Sequence, residues 1–228
     1  MYTTRAAMAS LLLAMSAPAH ADETARTFPR FDMRQAESAV VVARVSPGAA
    51  LPELEECKRP DTVCLHSPFW FHAQGVVAVS GRAARPELVV STLSHYGLAS
   101  FVQPPVVRLL SLKTYQGQVV MPINAWRELA ERRDGELFLV DRWGFWPSWL
   151  PCAMTPLREP LDEGAFAEPL RIAPDEYGRF DVEAHRDLFR ITPDGAFPRY
   201  GISMTRLRTF MATLSAQGAP TDCPRHDD

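Results

Sequence analysis

Phe69-Trp70-Phe71-His72-Ala73-Gln74-Gly75-Val76-Val77-Ala78-Val79-Ser80-Gly81 is the stretch on which the fold turns. Its aromatic and β-branched residues suit a pleated, half-buried surface and predict a long strand. Gly75 lies inside the run and predicts a bulge or bend there. Upstream, Ala39-Val40-Val41-Val42-Ala43-Arg44-Val45 reads as a strand that ends at the Ser46-Pro47-Gly48 turn. Residues 46–68 form an excursion between these two runs. Downstream, Glu87–Thr92, Val106–Leu112, Gly117–Met121 and Glu136–Asp141 read as further strands, with Gly117–Met121 pairing back on its predecessor across Lys113–Gln116.

Two helices are expected among the strands. Pro122 fits the first turn of a helix. Ile123, Trp126, Leu129 and Ala130 fall at helical spacing through Arg133, and Asp134-Gly135 ends the segment. The second begins at Ser203, a good N-cap, and runs over 203–217. Met204, Leu207, Met211 and Leu214 make its apolar stripe, Phe210 lies beside it, and Gly218 stops it. Arg206 and Arg208 sit off the stripe, as on a solvated face. Between the two, residues 166–200 read as short extended pieces. Phe180, Val182 and Ala184 alternate with Asp181, Glu183 and His185, which favours a half-buried strand. The sum is a mainly β chain with flanking helices (α+β), a small curled sheet or barrel plus a C-terminal helix, not a doubly wound α/β fold.

Composition excludes several classes. The 228 residues are 46% hydrophobic and 22% charged, which is globular and not fibrous or disordered. A net charge of −3 argues against nucleic acid as the main partner. No apolar run reaches the roughly 20 residues of a membrane-spanning helix.

Residues 1–21 read as a signal peptide. Arg5 supplies the positive start, Leu11-Leu12-Leu13-Ala14-Met15 the apolar stretch, Pro18 the break, and Ala19-His20-Ala21 the cleavage site. No Cys follows the apolar stretch, so no lipid anchor is expected. The mature chain starts at Asp22, and loss of Arg5 leaves 23 basic and 27 acidic groups. The expected address is periplasmic or secreted. Lys58 and Lys113 are the only lysines, the other basic residues all being Arg, which fits a GC-rich bacterial genome. We divide the chain into the signal (1–21), a β-rich barrel-like domain (22–165) and a C-terminal extension (166–228) packed on it.

Export gives the cysteines a meaning. In an oxidising compartment Cys57, Cys64, Cys152 and Cys223 pair as disulfides, and three pairings are open. We favour Cys57–Cys64, closing a tight loop around Lys58-Arg59-Pro60-Asp61, with Cys152–Cys223 tying the tail to the middle of the chain. The Cys57–Cys64 spacing is wrong for a zinc knuckle.

The strand over Ala39–Val45, the Cys-bearing excursion, the paired runs Phe69–Gly81 and Glu87–Thr92, and the phrase Asp134-Gly135-Glu136-Leu137-Phe138-Leu139-Val140 together resemble one group. It is the bacterial secreted domains similar to netrin and metalloproteinase-inhibitor modules, over residues 39–153. In that group a similar strand leads through a loop to a Cys, as Trp149-Leu150-Pro151-Cys152 does here. The resemblance implies an OB-like barrel. Inhibitory members carry a mature N-terminal Cys that chelates the target's metal, whereas this mature chain starts at Asp22 and its nearest Cys is Cys57. Inhibition by that route is therefore not expected.

Catalytic motifs give little. The nucleophile-elbow, zinc-protease and phosphate-loop patterns do not occur. Ser94 and His95 are adjacent, and neighbours on a strand point to opposite faces. His66, His72 and His95 are the imidazoles nearest to a metal set, but Pro68 interrupts the strand between the first two, and we expect neither metal nor cofactor. The aromatic cluster Trp143, Phe145, Trp146 and Trp149 reads first as core that covers one end of the barrel; the alternative is a ligand or partner surface, the best candidate for one in the chain, since flat rings bury large area at low entropic cost. The expected function is a non-enzymatic exported module binding a protein or cell-envelope component. The alternative is a periplasmic hydrolase using His95 or His72 with a nearby nucleophile.

Overall fold

The computed structural model describes residues 27–59, 61, 64–82, 85–94, 106–140 and 157–217. The stretch at 69–81 lies in β2 (Ser67–Ser80), which pairs antiparallel with β1 (Glu37–Ala50) over almost its whole length. The register shifts at three places. One extra residue sits on β2 between the pairs Val42↔Val77 and Arg44↔Gln74, where Gly75 adopts φ +61°. This is the expected bulge. Another lies on β1 between Pro47↔Phe71 and Ala50↔Phe69. Bulges bend strands and raise their twist, and here they let two 14-residue strands curl.

The curl closes. β3 (Glu87–Ser94) pairs with β2; β4 (Val106–Tyr115) returns beside β1; and β5 (Gln118–Met121) pairs antiparallel with β4 and parallel with β3. The circuit β1-β2-β3-β5-β4-β1 is a closed five-stranded barrel. The β4–β5 turn holds Gln116 (φ +48°) and Gly117 (φ +81°), the left-handed pair that a tight two-residue hairpin needs. Inside the barrel, alternate residues stack into a core of Val41, Val45, Phe69, Phe71, Val90, Leu110, Leu112 and Met121.

Residues 122–133 do not form the expected helix. Ala125 N–H closes a turn onto Pro122 O, and Asn124 adopts φ +58°, a conformation that ends a helix before it starts. Trp126–Glu131 is β6. It pairs with β4 (Leu110↔Trp126, Arg108↔Glu128) and then crosses to β7 (Leu137–Val140). Leu, Ala, Glu and Arg favour helix locally, but two flanking strands offer this backbone a ladder on each side, and tertiary pairing wins. The half-buried strand expected around Phe180–Ala184 is also absent. Tyr177–Phe180 makes one helical turn, closed by Asp181 at φ +48°, and Val182 is buried from a turn.

β7 extends the sheet outward to β11 (Tyr200–Ser203) and β8 (Glu159–Pro160). β9 (Phe189–Thr192) and β10 (Gly195–Pro198) form a separate hairpin. The C-terminal helix, Met204–Gln217, follows β11 directly. Its stripe of Met204, Leu207 and Met211 packs with Val40, Val42, Val79 and Leu109 on the outer face of the barrel, and with Leu139 and Ile202 of the outer strands. Ser203 Oγ accepts the Arg206 N–H at 3.2 Å, the expected cap. Glu136 accepts the Thr205 N–H and Glu159 the Ser203 N–H, which places two carboxylates at the positive end of the helix.

Candidate functional site

Trp143, Phe145, Trp146 and Trp149, the core or partner surface expected from sequence, lie outside the described residues, as do Cys152, Cys223 and His95. Cys57 and Cys64 are joined, with Cα atoms 5.4 Å apart. Their bridge staples the β1–β2 loop, and Cys57 N–H donates to Leu54 O inside it.

His72 projects from β2 on the outer face of the barrel, half-buried. Its ring meets Trp70 edge-on at 4.9 Å, and its cross-strand partner is Ser46. Trp70 in turn approaches Gly48 so closely that a Cβ there would come within 2.3 Å of both the indole and the Trp70 carbonyl. His72 makes no hydrogen bond to a hydroxyl or carboxylate among the described residues, so nothing there orients it as a base. No group of three or more metal-ligating side chains occurs among the described residues.

One end of the barrel holds a buried guanidinium. Arg108 shares the strand parity of Leu110 and Leu112 and is 2% exposed. Glu128 Oε1 lies 2.8 Å away on β6, and the Trp126 ring lies 4.2 Å below the guanidinium carbon. Burial pulls the Arg108 pKa below its ordinary value, and the Glu128 hydrogen bond and charge oppose that pull. The group ties β4 to β6 through an ion pair and a cation–π contact.

The outer strands and the β9–β10 hairpin enclose a cleft of about 250 Å³. Leu161, Leu170, Phe197 and Pro198 form its apolar walls. At the rim Arg190 pairs with Glu163, and its guanidinium carbon stands 5.4 Å from the Phe197 ring. Arg199 Nε donates to Phe189 O. Its backbone N–H donates to Leu188 O and its carbonyl accepts from Leu161 N–H, so one residue ties the hairpin to the main sheet. The sequence hid this cleft because its walls come from segments 160–170 and 190–200, none carrying a motif.

The chain matches no protein-family model, no curated protein and no solved structure.

Proposed function

We propose that the protein is an exported, disulfide-stapled, non-enzymatic module that binds a protein or cell-envelope component. The observation that carries this reading is the cleft between the outer strands and the β9–β10 hairpin, apolar inside with a charged rim at Arg190, Glu163 and Arg199. Apolar centres with polar rims are the common anatomy of recognition surfaces. The rim sets orientation and register, and the walls supply burial. The Cys57–Cys64 bridge supports the oxidising address that goes with the signal reading of residues 1–21. The OB-like reading of the barrel is part of the same proposal. What supports it is the closed order β1-β2-β3-β5-β4-β1 with β3 and β5 as its parallel pair.

The test is crosslinking capture from the native cell envelope, run on the unaltered chain and on Arg190→Glu. Arg190 is 58% exposed, so its reversal leaves the core intact. A component captured by the unaltered chain and lost by Arg190→Glu supports the cleft. Equal capture by both removes the cleft from the function. A Trp146→Ala, Trp149→Ala chain then asks the same of the aromatic segment.

A further inference from the structure

Residues Phe28-Pro29-Arg30-Phe31 precede β1 and belong to no strand. They nevertheless touch two parts of the chain that are far apart in sequence. Arg30 donates to Glu56 Oε2 at 2.9 Å, in the disulfide loop. Phe31 stacks on Tyr115 at the β4–β5 turn, with ring centroids 5.5 Å apart and planes at 28°. Phe28, Pro29 and Phe31 are half-buried, whereas Asp32 to Gln35 are exposed. The segment thus lays an aromatic residue, a basic residue and a second aromatic residue along the barrel surface.

Its hold is slight. Among the described residues no backbone hydrogen bond ties residues 27–31 to the barrel. The Arg30–Glu56 pair is 64% and 53% exposed, and such pairs are weak and screened by salt. The chain folds back into β1 through a separate turn, with Gln35 N–H donating to Asp32 O and Arg34 clipped onto Asp32. The segment can therefore lift without disturbing the β1 ladder.

The surface under it has its own chemistry. The disulfide loop carries Glu53, Glu55, Glu56 and Asp61 against Lys58 and Arg59, and Lys58 is spent on Glu55. Glu56 faces the arriving cation, and Tyr115 offers a flat ring to the arriving aromatic. We propose that this surface is a recognition surface for an extended peptide segment carrying aromatic residues on either side of a basic one, and that residues 28–31 occupy it in cis. The cis segment acts as a tethered competitor, whose high effective concentration excludes a free peptide until it is displaced. This site is distinct from the cleft lined by Phe197 and Leu161, and its test stands apart from the capture experiment.

The probe is a fluorescent peptide of residues 27–36, read by anisotropy against three full chains. The unaltered chain is expected to give no saturable binding. Phe31→Ala, which removes the cis stack, is expected to bind the peptide saturably, with affinity falling at about 1 M salt, where screening length shrinks to ~3 Å. Adding Tyr115→Ala to Phe31→Ala is expected to abolish binding. A folded Phe31→Ala chain that does not bind, or binding indifferent to Tyr115→Ala, overturns the proposal. If Phe31→Ala does not fold, Arg30→Glu takes its place, since it turns the cis ion pair repulsive while the peptide keeps its arginine. Peptide binding by Arg30→Glu supports the proposal, and its absence overturns it.

Discussion

Leu207→Ala tests whether the C-terminal helix is part of the barrel's own core. Leu207 is 0% exposed and packs against Val40, Val42 and Leu109 on the outer barrel face and Ile202 on β11. Truncating it removes the transfer energy of the side chain and leaves a cavity whose walls belong to sheet strands that cannot collapse. The expected loss is roughly 3–4 kcal/mol, from the range found for buried leucines. Set against a total stability of about 5–15 kcal/mol, that loss is large. It corresponds to a drop of roughly 10 °C in Tm for a chain of this size. The decisive assay is hydrogen exchange read by mass spectrometry on peptides covering Ala39–Val45 and Leu109–Leu112, together with the helix. If helix and barrel unfold as one unit, protection falls in all three by the same free energy. Loss of protection confined to Met204–Gln217, with the β1 and β4 amides unchanged, refutes the shared core and makes the extension an independent unit.

Gly48→Ala places a methyl 2.3 Å from the Trp70 carbonyl, and backbone cannot step aside, so the β1 bulge must open; we expect a loss of about 2–3 kcal/mol in urea denaturation, and a loss below roughly 0.5 kcal/mol refutes the close approach. Reducing Cys57–Cys64, which spans a sequence separation of 7, removes about 2.5 kcal/mol on the chain-entropy view, while far-UV circular dichroism stays barrel-like because, among the described residues, the loop contributes no core residue beyond Leu51. Asp134 sits in the β6–β7 turn, where its carboxylate accepts hydrogen bonds from Arg132 and from the Glu136 N–H, which hold its pKa down to about 2. Its folded value is depressed, so its contribution to the turn is present above the ordinary value of 3.8 and is lost as pH falls through about 2. A carboxyl carbon-13 titration reads this directly, and Arg132→Leu returns the midpoint toward the ordinary range; an unchanged midpoint refutes the assignment.

The barrel strands were legible because their signal is local. Gly75 inside a β-branched run marks a bulge whatever the rest of the chain does. The β4–β5 pairing was legible too, but not its turn: the expected connection over Lys113–Gln116 instead continues β4 to Tyr115, and the chain reverses at Gln116-Gly117. The C-terminal helix was legible for the same reason: Ser203 caps it and its stripe faces one way. Segment 122–133 was not, since its helix-forming composition concealed two non-local partners. Leu110↔Trp126 on one side and Leu129↔Leu139 on the other decide its state, and neither partner is visible from inside the window. A local clue existed in Asn124, which tolerates the left-handed conformation it adopts at φ +58° and is a poor residue for the first turn of a helix interior.

The sites were less legible than the fold for a related reason. Recognition surfaces assemble residues far apart in sequence, without a spacing rule to betray them. Arg30 and Glu56 are 26 positions apart, and Phe31 meets Tyr115 only because β1 and β4 close the barrel with Glu37 opposite Thr114. The Arg190–Glu163 rim likewise exists only once β11 pairs with both β7 and β8. Taken singly, each of these residues is an unremarked polar or aromatic position of the kind found on any surface. What turns them into candidate sites is pairing between strands distant in sequence, which for the Arg30–Phe31 segment means closure of the barrel. Perturbing closure is therefore expected to cost recognition before it costs secondary structure: in Gly48→Ala, the loosened β1–β2 junction displaces the disulfide loop and with it Glu56, so trans peptide binding by a Phe31→Ala chain falls while the strand signal persists.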